Sequence, residues 1–133
     1  MIAVDSSVLV DMLFAGPNAA ASAQTLSETA QVGPLAISEV ALAEICAHGD
    51  SETTRKTLAS LGFIFLPLTE SAAIRAGEMS KRYRKNGGTR SRIIADFLIG
   101  AHALMQCDGL VTYDTGFHRD YFKGLKVIVP GEQ

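Results

Sequence analysis

A chain of 133 residues with 47% hydrophobic and 20% charged residues has the composition of an ordinary globular domain, which excludes a disordered or fibrous chain. Its length suffices to bury roughly two thirds of the surface the unfolded chain exposes, so one core and one domain over 1–133 are expected. The formal net charge of −2 excludes a general affinity for polyanions.

From the N-terminus, "IAV" (2–4) reads as a short buried strand of a parallel sheet. No basic segment precedes it, and Asp5 and Asp11 interrupt the apolar residues after it, so a secretory signal is not expected. "SSVLVDMLF" and "NAAASAQTLSETAQ" then read as two helices broken at Gly16-Pro17. A second strand, "LAI" (35–37), leads into a helix with Ser38 as N-cap, Glu39 in its first turn and Gly49 past its end. A third strand, "FIFL" (63–66), precedes a helix from Thr69 on which Ala72, Ala76, Met79 and Tyr83 share one face. "NGG" (86–88) stops that helix and opens the loop "GGTRSR". The stretch "RIIADFLIGAHAL" (92–104) is the next helix, and "LVT" (110–112) and "VIV" (127–129) are the last strands. Alternation of this kind predicts an α/β fold. No uncharged apolar run approaches the ~18 residues of a membrane span. Cys46 and Cys107 sit in apolar helical contexts and are expected to be buried free thiols of a reducing, cytoplasmic compartment.

Two helices carry a charge in an apolar setting. Asp96 lies near the start of a helix that is hydrophobic on nearly every side, and Glu44 is the one interior charge of "SEVALAEICAH". An unpaired buried carboxylate is costly, so each needs a partner. In an open α/β sheet, ligands gather beyond the C-terminal strand ends, and two more acids fall there: Asp5 after "IAV" and Asp114 after "LVTY". The four are expected to share one cleft. Like charges about 4 Å apart repel by roughly 4 kcal/mol at an effective dielectric of 20, so a cation between them is implied. Oxygen donors without nearby His or Cys favour Mg²⁺ or Mn²⁺ over zinc. An ion held by few protein ligands suits phosphodiester hydrolysis by an activated water.

Seven of the twelve basic residues, Arg75, Lys81, Arg82, Arg84, Lys85, Arg90 and Arg92, fall between 75 and 92. Arg82, Arg84, Lys85, Arg90 and Arg92 are the candidates for holding a nucleic acid backbone, although a basic run also suits a solvated helix face. Simpler roles exist for the acids too: Asp96 as a first-turn residue satisfied by backbone N–H groups, Asp5 and Asp114 as helix caps, and Glu44 in a salt bridge. Glu39 is the rival ligand on its helix, but five residues separate it from Glu44 by about 140°. Asp11 is expected in solvent and Asp108 in a turn beside Gly109. His48, His102 and His118 are scattered without metal-ligand spacing and are expected at the surface or behind the site.

The stretches "VDSSVLVDML", "AISEVALAEI", "GGTRSRIIADFLIGAHAL" and "LVTYDTGFHRDYF", taken together, resemble the PIN-domain ribonucleases of the VapC toxin type, over about residues 2–129. The resemblance implies a three-layer fold with a mainly parallel sheet of four to five strands flanked by helices. It also implies a Mg²⁺- or Mn²⁺-dependent endoribonuclease acting on RNA, forming a homodimer and inhibited by a small antitoxin whose other end binds DNA. The acidic metal-site residues carried over are Asp5, Glu44, Asp96 and Asp114, with Ser7 and Thr112 as polar support. Thr115 and Gly116 stand where many relatives have a further acid, so a second metal is not carried over. Two rival readings stay open: a non-catalytic binding protein of the same fold, and a phosphoacceptor receiver domain. The latter lacks its paired acids after the first strand, its acceptor Asp after the third and its Lys after the fifth.

Overall fold

The computed structural model describes residues 1–89 and 92–132. Strands β1 (Ile2–Val4), β2 (Leu35–Ile37), β3 (Phe63–Phe65), β4 (Gly109–Val111) and β5 (Val127–Ile128) form one sheet in the order β3-β2-β1-β4-β5. Every neighbouring pair is parallel. Parallel pairing requires crossovers, and these carry α1 (Ser6–Leu13), α2 (Ala19–Val32), α3 (Glu39–Cys46), α4 (Ser51–Ser60), α5 (Glu70–Lys85), α6 (Ile94–Gln106) and α7 (Thr115–Tyr121) among the described residues. All five expected strands are present, with ends shifted by at most one residue. A receiver domain would place β1 between β2 and β3; here β1 lies between β2 and β4, which overturns that alternative.

Helix α4 was not expected, and α7 was foreseen only through the capping role weighed for Asp114, whose side chain makes no cap hydrogen bond. The segment forming α4 buries only Thr54 and Leu58, too few apolar residues for a visible period, and relies on Asp50, whose carboxylate caps the Thr53 N–H at 2.8 Å. The short α7 follows Asp114 directly and buries Phe117 and His118. The helix expected to start at Arg92 starts at Ile94, leaving Arg92 in the preceding loop. None of the described helices is long and apolar enough to cross a membrane. Both cysteines are free, and half-buried rather than buried.

The core has two parts, and α6 belongs to both. Its Ile99 and Ala103 pack with Ala3, Val4, Leu9, Leu35, Ile45 and Leu110, while its Phe97 and Ala101 pack with Ala72, Ala76, Phe117 and Phe122. A helix buried on two sides must be apolar nearly all round, which accounts for the composition of this stretch. Gly100 lets Phe122 approach: a Cβ there would lie 2.3 Å from the ring.

The segment between β3 and α5 is fixed through its backbone. Leu68 N–H donates to Glu39 at 2.9 Å, Thr69 N–H to Gln106 Oε1 at 3.1 Å, Gln106 Nε2 to the Pro67 carbonyl at 2.9 Å, and His102 Nε2 to the Leu66 carbonyl at 2.7 Å. Glu39 is thereby turned to this segment. His102 is core, not surface, at 2% exposure.

Two outcomes are expected. Gly100→Ala, forced against the fully buried Phe122 ring, loses about 1–3 kcal/mol, read as a fall in Tm of several degrees. Burial holds His102 below its ordinary value of 6.5. As pH falls through that value the unfolded chain takes up a proton that the buried ring does not, so stability is level above it and declines below. Urea unfolding at pH 7.5 and 5.5 should show a smaller loss in His102→Gln than in the unsubstituted chain.

Candidate active site

The strand order reverses direction at β1 and β4, whose C-terminal ends adjoin: Asp5 N–H donates to the Val111 carbonyl at 2.9 Å. Ligand clefts of α/β sheets form at such a switch point. Thr112, fully buried, donates its hydroxyl to Asp5 Oδ2 at 2.7 Å and accepts the Asp114 N–H at 3.0 Å. One hydroxyl thus ties the two strand-end acids together. The buried Ser6, first residue of α1, donates to Glu44 Oε1 at 2.9 Å, with Asp5 Oδ1 3.4 Å away. Glu44 therefore has a hydroxyl partner where a Lys or Arg was the alternative. Asp96, in the first turn of α6, accepts the Ile93 N–H at 2.9 Å, so the simple first-turn role and a place in the site coexist.

All four acids line one cleft of about 530 Å³, together with Ser6, Ser7, Ile99 and Tyr113. Ser7 faces it exposed and its hydroxyl has no hydrogen-bond partner among the described residues; Ser6, which sequence reasoning passed over, makes the contacts. Its signal was present, since the residue directly after a strand-end acid opens the next helix over that strand end.

Arg92 pairs with Asp114 through both terminal nitrogens, Nη2 reaching Oδ1 at 3.0 Å and Nη1 reaching Oδ2. Its guanidinium lies 4.3 Å over the Phe117 ring. The hydrogen bonds to Asp114 hold Arg92 above its ordinary pKa. Arg82, Arg84 and Lys85 are exposed in the last turn of α5, where cations also suit the helix dipole. Tyr83, between them, stacks edge-on against Phe117 with ring centroids 6.4 Å apart, which puts this basic end beside the Arg92 platform. Arg90 lies outside the described residues.

His118 is buried behind Asp5, its Nε2 4.0 Å from Oδ2, and its Nδ1 has no hydrogen-bond partner among the described residues. Burial lowers its pKa in spite of Asp5 and Asp114. His48 is exposed. Asp11 departs from expectation: it is half-buried, and its Oδ2 is buried without a partner among the described residues.

Among the described residues, no three acids, histidines or cysteines stand close enough to enclose a metal ion in this arrangement. The donor chemistry nevertheless fits a hard cation: among the described residues lining the cleft the charged ones are all carboxylates, and Glu44 Oε2 and Asp96 Oδ1 accept no hydrogen bond among the described residues. Removing the Ser6 hydroxyl leaves Glu44 and Asp5 without their shared donor. Ser6→Ala is expected to lose about 1–2 kcal/mol in urea unfolding, and Ser7→Ala less than half of that.

The family profile described as PIN domain matches residues 2–123. The chain is 36% identical over 137 residues to Ribonuclease VapC10 of Mycobacterium tuberculosis, covering 100% of this chain and 98% of that protein. Among solved structures it is similar to FitAcB from Neisseria gonorrhoeae (TM-score 0.70, 22% identity, all of both chains). It is also similar to VapBC2 from Rickettsia felis bound to a promoter DNA fragment (TM-score 0.69, 18% identity, 97% of this chain and 98% of that one). A toxin–antitoxin complex from Klebsiella pneumoniae matches over all of both chains (TM-score 0.64, 21% identity). The sheet order and this full-length likeness agree: the chain belongs to the PIN domain family, on its VapC side.

Proposed function

We propose that the chain is a single-domain endoribonuclease and the toxin of a toxin–antitoxin pair, hydrolysing RNA phosphodiesters with Mg²⁺ or Mn²⁺. The observation that carries this reading is the convergence of Asp5, Glu44, Asp96 and Asp114 on one cleft at the sheet's switch point. The likeness to a protein named as a ribonuclease supports it, and so do fold neighbours solved with toxin–antitoxin or promoter-DNA partners.

Asp5, Glu44, Asp96 and Asp114 form the acidic set that would hold the ion. When bound, such an ion stabilises charge on the phosphate and lets water act as nucleophile near neutral pH. Thr112 and Ser6 orient Asp5 and Glu44 by donating to them, and the backbone N–H of Ile93 does the same for Asp96. Arg82, Arg84 and Lys85, joined by Arg90, supply cations for the RNA backbone, whereas Arg92, expected among them, is paired with Asp114. Ser7 is left with a free hydroxyl at the cleft rim. A small antitoxin with a DNA-binding end is the partner, the nuclease acts as a homodimer, and the compartment is the cytoplasm.

The test is incubation of the purified, partner-free chain with total cellular RNA, with Mg²⁺ or Mn²⁺ and with EDTA. Discrete fragments are expected, lost with EDTA and reduced at least about 100-fold by Asp5→Ala and by Asp96→Asn, a scale set by ordinary general acid–base and charge-stabilising contributions. Fragments that persist in both variants would remove the cleft from catalysis. A folded, metal-binding chain that cuts nothing would favour the non-catalytic binding role.

A further inference from the structure

In the proposed nuclease the four acids serve the phosphate half of a nucleotide and leave its flat, neutral base without a surface. The cleft supplies one. Among the described residues lining it, Tyr113 is the only aromatic, and Ile99, the one aliphatic side chain, is 6% exposed. Tyr113 is half-buried, packed in part against the core while also lining the cleft.

The ring is held at both ends. On its backbone side it stands between Thr112 and Asp114, and the Thr112 hydroxyl spans it by donating to Asp5 at 2.7 Å and accepting the Asp114 N–H at 3.0 Å. At its tip the phenol oxygen lies 2.7 Å from Ser22 Oγ and 3.5 Å from the Asn18 carbonyl oxygen. Ser22 is fully buried in α2, where a hydroxyl needs a partner, and Tyr113, 91 residues on, is that partner. A tyrosine fixed in this way has little freedom left to lose when a flat ligand stacks on it. Bracing α2 would need the hydroxyl alone; it does not account for an aromatic side chain beside the acids.

Unpaired bases of RNA stack readily on such rings, because every base has a π-face and stacking needs no particular hydrogen-bond pattern. The cleft volume of about 530 Å³ lies within the usual range for small-ligand sites. We propose that Tyr113 is a base-stacking residue: its ring takes the face of one unpaired base of the RNA, while the adjoining phosphate meets the acids. This deepens the proposed function by assigning a residue to substrate positioning, and it rests on the RNA substrate of that reading.

Adenosine, which carries no phosphate, separates stacking from the chemistry of the acids. The chain has three tyrosines, so its tyrosine-ring NMR signals are few, and Tyr113→Phe identifies those of Tyr113 by deleting them. Titration of the unsubstituted chain with adenosine should move the Tyr113 ring signals upfield along a saturable curve, because a stacked base shields them, and ribose 5-phosphate should not move them. Unmoved Tyr113 signals, shifts at Tyr83 or Tyr121 in their place, or an equal response to ribose 5-phosphate would each overturn the proposal. In cleavage of single-stranded RNA, Tyr113→Leu should raise KM about tenfold, the scale of one base stacked on an aromatic ring, with kcat within about twofold. Tyr113→Phe, which keeps the ring, should restore most of the loss. An unchanged KM in folded Tyr113→Leu would sink this inference alone; should melting show that variant unfolded, the adenosine titration decides. Adenosine stacked on Tyr113 of a chain that cuts no RNA would sink the nuclease reading alone.

Discussion

Mutual repulsion among carboxylates gathered at one end of a parallel sheet is the constraint that the rest of this structure answers. A like pair brought to about 4 Å at an effective dielectric of 20 would cost roughly 4 kcal/mol, a large share of the stability of an ordinary domain, and the described acids are not drawn that closely into one cluster. Each acid consequently has its own donor: Thr112 for Asp5, Ser6 for Glu44, the Ile93 N–H for Asp96 and Arg92 for Asp114. Three of these donors are neutral. They orient charge without cancelling it, which keeps the cleft attractive to a cation, whereas Arg92 cancels the charge it touches. The contrast between orienting and cancelling donors sets which acids keep an uncompensated charge.

The same end of the molecule is shaped by α6, which is packed between the two halves of the core. Because both halves need it, its register cannot slip without disturbing either, and that register sets where Asp96 in its first turn stands. Its far end does related work: His102 and Gln106 fasten the segment that leads into α5. One helix therefore fixes an acid at the cleft and, a few turns away, the start of the helix whose other end carries the exposed cations.

The sequence disclosed what short-range patterns can encode. The five strands were legible because three-residue apolar runs bounded by polar turns have few other homes, and the strand-end acids followed from them. Ser38 was legible as a cap, its Oγ accepting the Ala41 N–H at 3.3 Å. Helix α4 was not, since its stability comes from capping and two buried residues rather than a stripe. Ser6 and Ser7 are neighbours, and only the direction of the first turn of α1 decides which of them meets Glu44, 38 residues away. Arg92 was legible as basic, yet its partner lies 22 residues on, so its separation from the surface cations is a property of tertiary packing. His102 and Asp11 went wrong for the same reason: polar residues scattered in sequence carry no sign of what will cover them.

A negatively charged chain that handles a polyanion must keep binding and chemistry apart. The net charge of −2 hides a segregation in which exposed cations crowd the end of α5 and acids crowd the cleft. The screening length at physiological ionic strength is about 8 Å, so each group is felt mainly by what touches it. Phosphates docking at Arg82, Arg84 and Lys85 would be weakened by salt in proportion to the ions they release, while contacts inside the half-buried cleft would be screened far less. Tyr83, Phe117 and Arg92 join the two regions through stacked rings rather than through charge. An aromatic connection of this kind places the basic end against the acidic one without letting their side chains neutralise each other, and Arg92 is the one described cation allowed across.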